Sequence, residues 1–214
     1  MTTPSPEIPA AVQERSRRTL KRIYEAGTLL LELHGPSALT VANVAAEAGV
    51  STGSVYRRFG SKEQLLAVIQ YEFVEDFKAE LARRLADERL VSAASVSEVV
   101  DIAVRGFVET FQARQTLLRV LILVSTENQA ALELGSQGAR ECGAMFREVL
   151  LRVADQVKRP DPEAAIDHAY RSMYSMCAFR AMFGENLESG MPAPWPVMID
   201  EMAVAICAYL TAER

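Results

Sequence analysis

VANVAAEAGVSTGSVYRRFGSKEQ, residues 41–64, decides how the rest of the chain is read. Two short helical patterns flank Gly49. Thr40 is the expected N-cap of the first, about Val41 to Ala48, with Val41, Val44, Ala45 and Ala48 as its inner stripe. Gly49 ends it, Val50 plugs the corner, and Ser51 caps a second helix over Thr52–Phe59. On that second helix Val55 and Phe59, four apart, face inward. Gly53 and Arg57 point the other way, with Ser54 and Tyr56 on the flanks. Gly49 and the small Ala45 and Ala48 let the two helices cross closely, as a helix-turn-helix requires.

The outward edge suits a helix entering a DNA major groove. Gly53 lets the backbone approach. Arg57 can fork onto guanine O6 and N7. Tyr56, Arg58 and Lys62 can hold phosphates, as can the amides at the two helix N-termini. On spacing alone a second reading stays open: a helical hairpin with ordinary surface arginines.

Outward from this stretch the helical pattern continues, and strand signals are missing. Upstream, a helix is expected from about Ala11 to His34, with Leu20, Ile23, Gly27, Leu30 and Leu33 on one face and His34-Gly35-Pro36 as its stop. Residues 1–10, rich in Pro, Ser and Thr, read as a flexible arm. Downstream, Ser61-Lys62-Glu63-Gln64 is a capping box opening a long helix to about Arg89. Ser95-Val96-Ser97-Glu98 is a second box, starting a helix that carries Val96, Val100, Ala103, Phe107 and Phe111 on one side. Leu117–Val124, apolar except at Arg119, reads as a separate buried helix. Another is expected over about Gln129–Val157, loosened near Gly135–Gly138. After Pro160 and Pro162 come two more, about Glu163–Phe183 and Trp195–Ala212. The expected fold is therefore all-α, about nine helices. The division is a head over residues 11–60 and a helical body over 61–214.

Charge follows the same division. The chain has 214 residues and a formal net charge of −5. Residues 1–62 carry eight Lys/Arg against five Glu, or +3, and the remainder carries −8. A basic head on an acidic body hints at a polyanion partner for the head. No apolar run approaches the ~20 residues of a membrane span, and the start lacks a secretory signal. Cys142, Cys177 and Cys207 are far apart and odd in number, which suits reduced thiols and a cytoplasmic location.

Leu39-Thr40-Val41 followed by VAAEAGVSTGSVYRRFGSKEQLL resembles the N-terminal domain of the TetR family of bacterial transcriptional regulators. The resemblance covers about residues 15–66. Beyond them the chain resembles the family only in being helical and of the right length. It implies that Thr40, Tyr56, Arg58 and Lys62 contact phosphates and that Thr52, Gly53, Ser54 and Arg57 read bases. Ala42 departs from the pattern, standing where family members often carry a basic or polar residue able to touch DNA. The resemblance also implies a C-terminal body that binds a small ligand and dimerises through its last two helices.

Catalysis and metal binding find little support. There are two histidines, and His168 beside Asp167 makes no dyad on a helix, where neighbours point about 100° apart. No GxSxG, Walker or HExxH motif occurs, no paired His/Cys spacing suits a metal, and no cofactor is expected. Phe107, Phe111, Met145, Phe146, Tyr170, Met173 and Tyr174 are candidates to line an apolar ligand pocket, or are plain core. Arg119 either pairs structurally or meets a polar group of the ligand. The last two helices carry paired apolar stripes, among them Met176, Phe179 and Phe183 on one and Met198, Met202, Ala205 and Tyr209 on the other. Two apolar faces per helix exceed what one monomer core needs, and a dimeric four-helix bundle would bury the surplus; the alternative is a larger intramolecular core. The reading is a homodimeric regulator, a repressor released from a palindromic double-stranded operator by a small-molecule effector. An architectural DNA binder without an inducer is the alternative.

Overall fold

The computed structural model describes residues 10–185 and 190–213. The arm expected over residues 1–10 lies outside them, except that Ala10 already opens the first helix. Among the described residues the chain is all-α, with nine α-helices and two 3-10 segments. These are α1 (Ala10–His34), α2 (Val41–Glu47), α3 (Thr52–Phe59), α4 (Lys62–Leu85), α5 (Arg89–Ser92), α6 (Val96–Ser125), α7 (Gln129–Leu150), α8 (Pro162–Phe183) and α9 (Trp195–Thr211). They form two compact units, one ending at Glu72 and one beginning at Phe73, so α4 contributes to both.

In the first unit α1, α2, α3 and the start of α4 enclose a small core that includes Ile23, Leu31, Leu39, Val44, Val55, Phe59, Leu65 and Ile69. The unit extends past residue 60 because Leu65 and Ile69 are fully buried. Ile69 packs where Gly27 of α1 has no room for a Cβ. The inner row of α1 is Ile23, Ala26 and Leu31, while Leu33, expected inside, is 65% exposed. Ten residues on from Ile23, it lies about 80° round the helix.

In the second unit three sequence expectations give way. The long helix stops at Leu85 rather than near Arg89, because Asp87 turns the chain: its Oδ1 accepts the Arg89 amide at 2.8 Å and opens the short α5. The two helices expected over 96–111 and 117–124 are one 30-residue helix, α6. Nothing between Phe111 and Leu117 breaks a helix, so it propagates. Within Leu117–Val124 only Leu117 and Leu121 are buried, and Arg119 is exposed. Finally, α7 runs regularly through Gly135–Gly138 and gives way only at Leu151–Gln156, a 3-10 segment in which Val153 leaves helical geometry (φ −119°, ψ 25°). The capping box at Ser95 forms completely, Ser95 accepting from the Glu98 amide and Glu98 from the Ser95 amide.

A candidate DNA-binding head

The α2–turn–α3 hairpin is built by local signals that all agree. Thr40 Oγ1 accepts from the Asn43 amide at 3.1 Å and starts α2. Its inner stripe of Val41, Val44, Ala45 and Ala48 is buried. Gly49 takes φ +60°, and the Gly49 and Val50 amides donate to the Ala46 and Ala45 carbonyls at 3.1 and 2.9 Å. That is the left-handed helix stop glycine favours. Ser51 Oγ accepts from the Ser54 amide at 3.2 Å and starts α3.

Val55 and Phe59 anchor α3 in the core, and its opposite edge is open. Thr52, Gly53, Arg57 and Arg58 are exposed, Tyr56 is 56% exposed, and Ser54 is half-buried. Nothing lies within 4 Å of where a Gly53 Cβ would stand. Ser54 Oγ shares a 2.8 Å hydrogen bond with Ser51 Oγ and receives a long one, 3.5 Å, from Arg57 Nη2. Arg58 Nη2 donates to Ser16 Oγ at 3.0 Å, joining α3 to α1. Lys62 Nζ donates to the Pro36 carbonyl at 3.0 Å. The eight residues singled out from the sequence thus lie on α3, at its C-terminal flank and at the start of α2. Sequence reading passed over Arg22, whose Nη2 donates to the Gly49 carbonyl at 3.0 Å. Its partner lies 27 positions away, and no local pattern marks it.

The candidate ligand residues of the second unit are brought together, but as packed rings. Phe107 meets Phe111, Tyr170 and Tyr174 at centroid distances of 5.1, 5.4 and 6.5 Å, and Phe146 meets Tyr170 at 5.8 Å. Phe77 of α4 joins them, 5.4 Å from Phe111. Phe73 and Phe77, four apart, were the signal for it. Met173 is fully buried and Met145 half-buried. Tyr170 Oη donates to the Ala139 carbonyl at 2.5 Å. Burial raises the phenol pKa of both Tyr170 and Tyr174. Arg119, being exposed, is not the buried charge the sequence suggested.

On α8 and α9 an apolar strip faces outward. Met176, Phe179 and Phe183 are about half exposed, with the last two rings 4.8 Å apart. Between the two helices runs an open groove of about 530 Å³, with Met176, Met198, Ala205 and Tyr209 among its walls. Met202 also lines it but is 3% exposed, so it belongs to the core more than to the outer strip. No helix among the described residues is long and apolar enough to cross a membrane.

Residues 23–69 match the family model for bacterial regulatory proteins of the tetR family. Solved structures similar to the chain agree in fold. One is a chain from Mesorhizobium loti assigned to TetR-family transcriptional regulators (17% identity, 92% of this chain and 96% of that one, TM-score 0.75). A transcriptional regulator from Streptomyces coelicolor shares 20% identity over 91% of this chain and 99% of its own, with a TM-score of 0.67. A TetR transcription regulator from Haloarcula marismortui shares 18% over 92% and 98%, TM-score 0.67. No curated protein matches the chain in sequence. The head thus carries, over residues 23–69, the sequence pattern of the tetR family of bacterial regulatory proteins, and the described residues have the TetR-type fold, with an N-terminal helix-turn-helix and a C-terminal helical body.

Proposed function

We propose that the chain is a homodimeric repressor that binds a palindromic operator and leaves it when a small molecule binds the body. One observation carries the DNA half of this reading: α3 is held by Val55 and Phe59 and offers Thr52, Gly53, Tyr56 and Arg57 on one exposed edge. A small residue, hydroxyls and a guanidinium on one helix edge suit base edges and phosphates in a major groove. Thr52, Gly53, Ser54 and Arg57 read bases in this scheme. Thr40, Tyr56, Arg58 and Lys62 hold phosphates.

The exposed strip of Met176, Phe179 and Phe183, with the groove beside it, supports dimerisation through α8 and α9. Apolar area of this kind is costly in water and is covered when two copies pack as a four-helix bundle. A dimer presents two α3 helices, and a palindrome presents two half-sites.

Selection of bound fragments from random DNA, followed by gel shifts on the enriched sequences, tests the reading. A few tight palindromes with half-sites about one helical turn apart are expected. Binding spread evenly over all sequences would instead fit an architectural protein. Release is tested by linkage: an effector that weakens operator binding must itself bind more weakly, by the same factor, when operator is saturating.

A further inference from the structure

At the end of α8 the chain buries a charge for which the DNA-binding head has no use. Arg180 is 5% exposed, in the last turn of the helix, where a cation suits the negative end of the helix dipole. The ring of Trp195, first residue of α9, lies 5.4 Å from its Cζ. The indole N–H donates to Gln115 Oε1 of α6 at 3.1 Å, so the ring is held from the other side. Residues of three helices converge on this guanidinium and its indole neighbour.

A guanidinium presents its donors as a planar fork that matches a carboxylate two bonds at a time. Arg180 does not have that match. Its Nη2 lies 2.8 Å from Glu185 Oε1, but without a hydrogen-bonding approach, and among the described residues this buried nitrogen has no hydrogen-bond acceptor. The contact is an ion pair with Nη2 left unfilled, and an unfilled buried charged donor is costly. Glu185 is itself 45% exposed. It is folded back by Gly184, whose φ of 83° and ψ of −160° belong to a region adopted almost only by glycine. A carboxylate carried on the chain thus covers the guanidinium in poor geometry, with water on its other side.

We propose that Arg180 anchors a binding site for an organic carboxylate, with Trp195 as its apolar wall and Glu185 as the internal occupant that the ligand displaces. A free carboxylate approaching in the plane of the guanidinium makes the hydrogen bonds that Glu185 leaves unmade. The indole shields the pair and covers the first carbons of the acid. This names the chemical class of the effector and so rests on the regulatory reading for its consequence, but binding itself can be read without DNA.

Trp195 is the only tryptophan in the chain, so its emission reports on this site alone. The full chain is titrated with acetate, hexanoate and benzoate, each beside its neutral amide. A saturable change in emission is expected with at least one acid and not with its amide. Glu185→Gln removes the competitor. If Glu185 occupies Arg180 nine-tenths of the time, the apparent affinity rises about tenfold. Arg180→Met abolishes the response. Should that variant fail to fold, the Glu185→Gln comparison decides. No saturable change in either the wild type or Glu185→Gln overturns the proposal. So does an equal response to acid and amide, or an affinity that Glu185→Gln leaves unchanged. Loss of operator binding in a separate gel shift would bear on the regulatory reading and not on this site.

Discussion

Arg22 donates from Nη2 to the Gly49 carbonyl at 3.0 Å, tying the middle of α1 to the turn between α2 and α3. The turn needs φ +60° at Gly49, a conformation that costs other residues about 1–2 kcal/mol. A Cβ there would also come within 2.6 Å of the same Arg22 nitrogen. Gly49→Ala is therefore expected to destabilise the chain by at least that 1–2 kcal/mol and to loosen the hairpin. Urea denaturation beside Arg22→Ala separates the two parts. Gly49→Ala with wild-type stability would mean the turn relaxes at no cost.

The head was legible in the sequence because its signals are local. Thr40, Gly49 and Ser51 act within a few residues of themselves, and each does what its type and spacing predict. Where the outcome depended on distant neighbours, reading failed. Leu117–Val124 looked buried all round, yet burial was decided by which helices pass over it, and only Leu117 and Leu121 are covered. Arg119 was judged from that run and is exposed for the same reason. Leu117–Val124 was read as a helix separate from the one that carries Phe111, but polar residues such as Gln112, Arg114 and Gln115 continue a helix readily, and α6 runs through them. The pairing of Arg22 with Gly49 and of Arg58 with Ser16 spans 27 and 42 positions and leaves no mark on either segment.

Arg57 is the residue most suited to read a base. Among the described residues its side chain makes only a 3.5 Å contact to Ser54 Oγ, too long to hold it back. Arg57→Ala should cost roughly 1–3 kcal/mol on the true operator and relax preference at one base pair. An equal loss on operator and random DNA would make it a phosphate contact.

Lys62 should act through charge. Lys62→Met keeps the stem and removes the ammonium that reaches the Pro36 carbonyl. Weaker binding to all sequences is expected, with the salt slope lower by about one unit. If the slope is unchanged while thermal stability drops, Lys62 is a tether of the head and not a phosphate contact.

The body should weaken in alkali. Burial pushes the Cys142 and Cys177 thiols up to about 12 from an ordinary 9.0. The unfolded chain ionises first, so their contribution is whole below about pH 9 and is lost as pH rises toward about 12. Burial acts in the same direction on Tyr170 and Tyr174, from their ordinary 10.0 upward. The urea midpoint of the second unit should fall steadily above pH 9, and Cys177→Ala should flatten part of that fall. A midpoint level from pH 9 to 11 would show these groups to be hydrated in the native state.

Ala205 tests the pairing of α8 and α9 across two copies. It is exposed, on the wall of the groove that Met176, Met198 and Tyr209 share. In a single copy a glutamate there sits in water, so Ala205→Glu should fold normally. Its one local cost is a like charge four positions from Glu201, which lines the same groove, and such pairs cost only a few tenths of a kcal/mol. In a dimer built on this strip the same carboxylate is buried against a second copy without a partner, at a cost of several kcal/mol. Each 1.4 kcal/mol raises the dissociation constant tenfold, so the variant should be monomeric at micromolar concentration. A monomer presents one α3 where an operator has two half-sites about 34 Å apart, and operator affinity should fall with dimerisation. Light scattering reads the first effect and gel shifts the second, with circular dichroism to confirm the fold. A full dimer of Ala205→Glu that still grips its operator would place the interface away from α9.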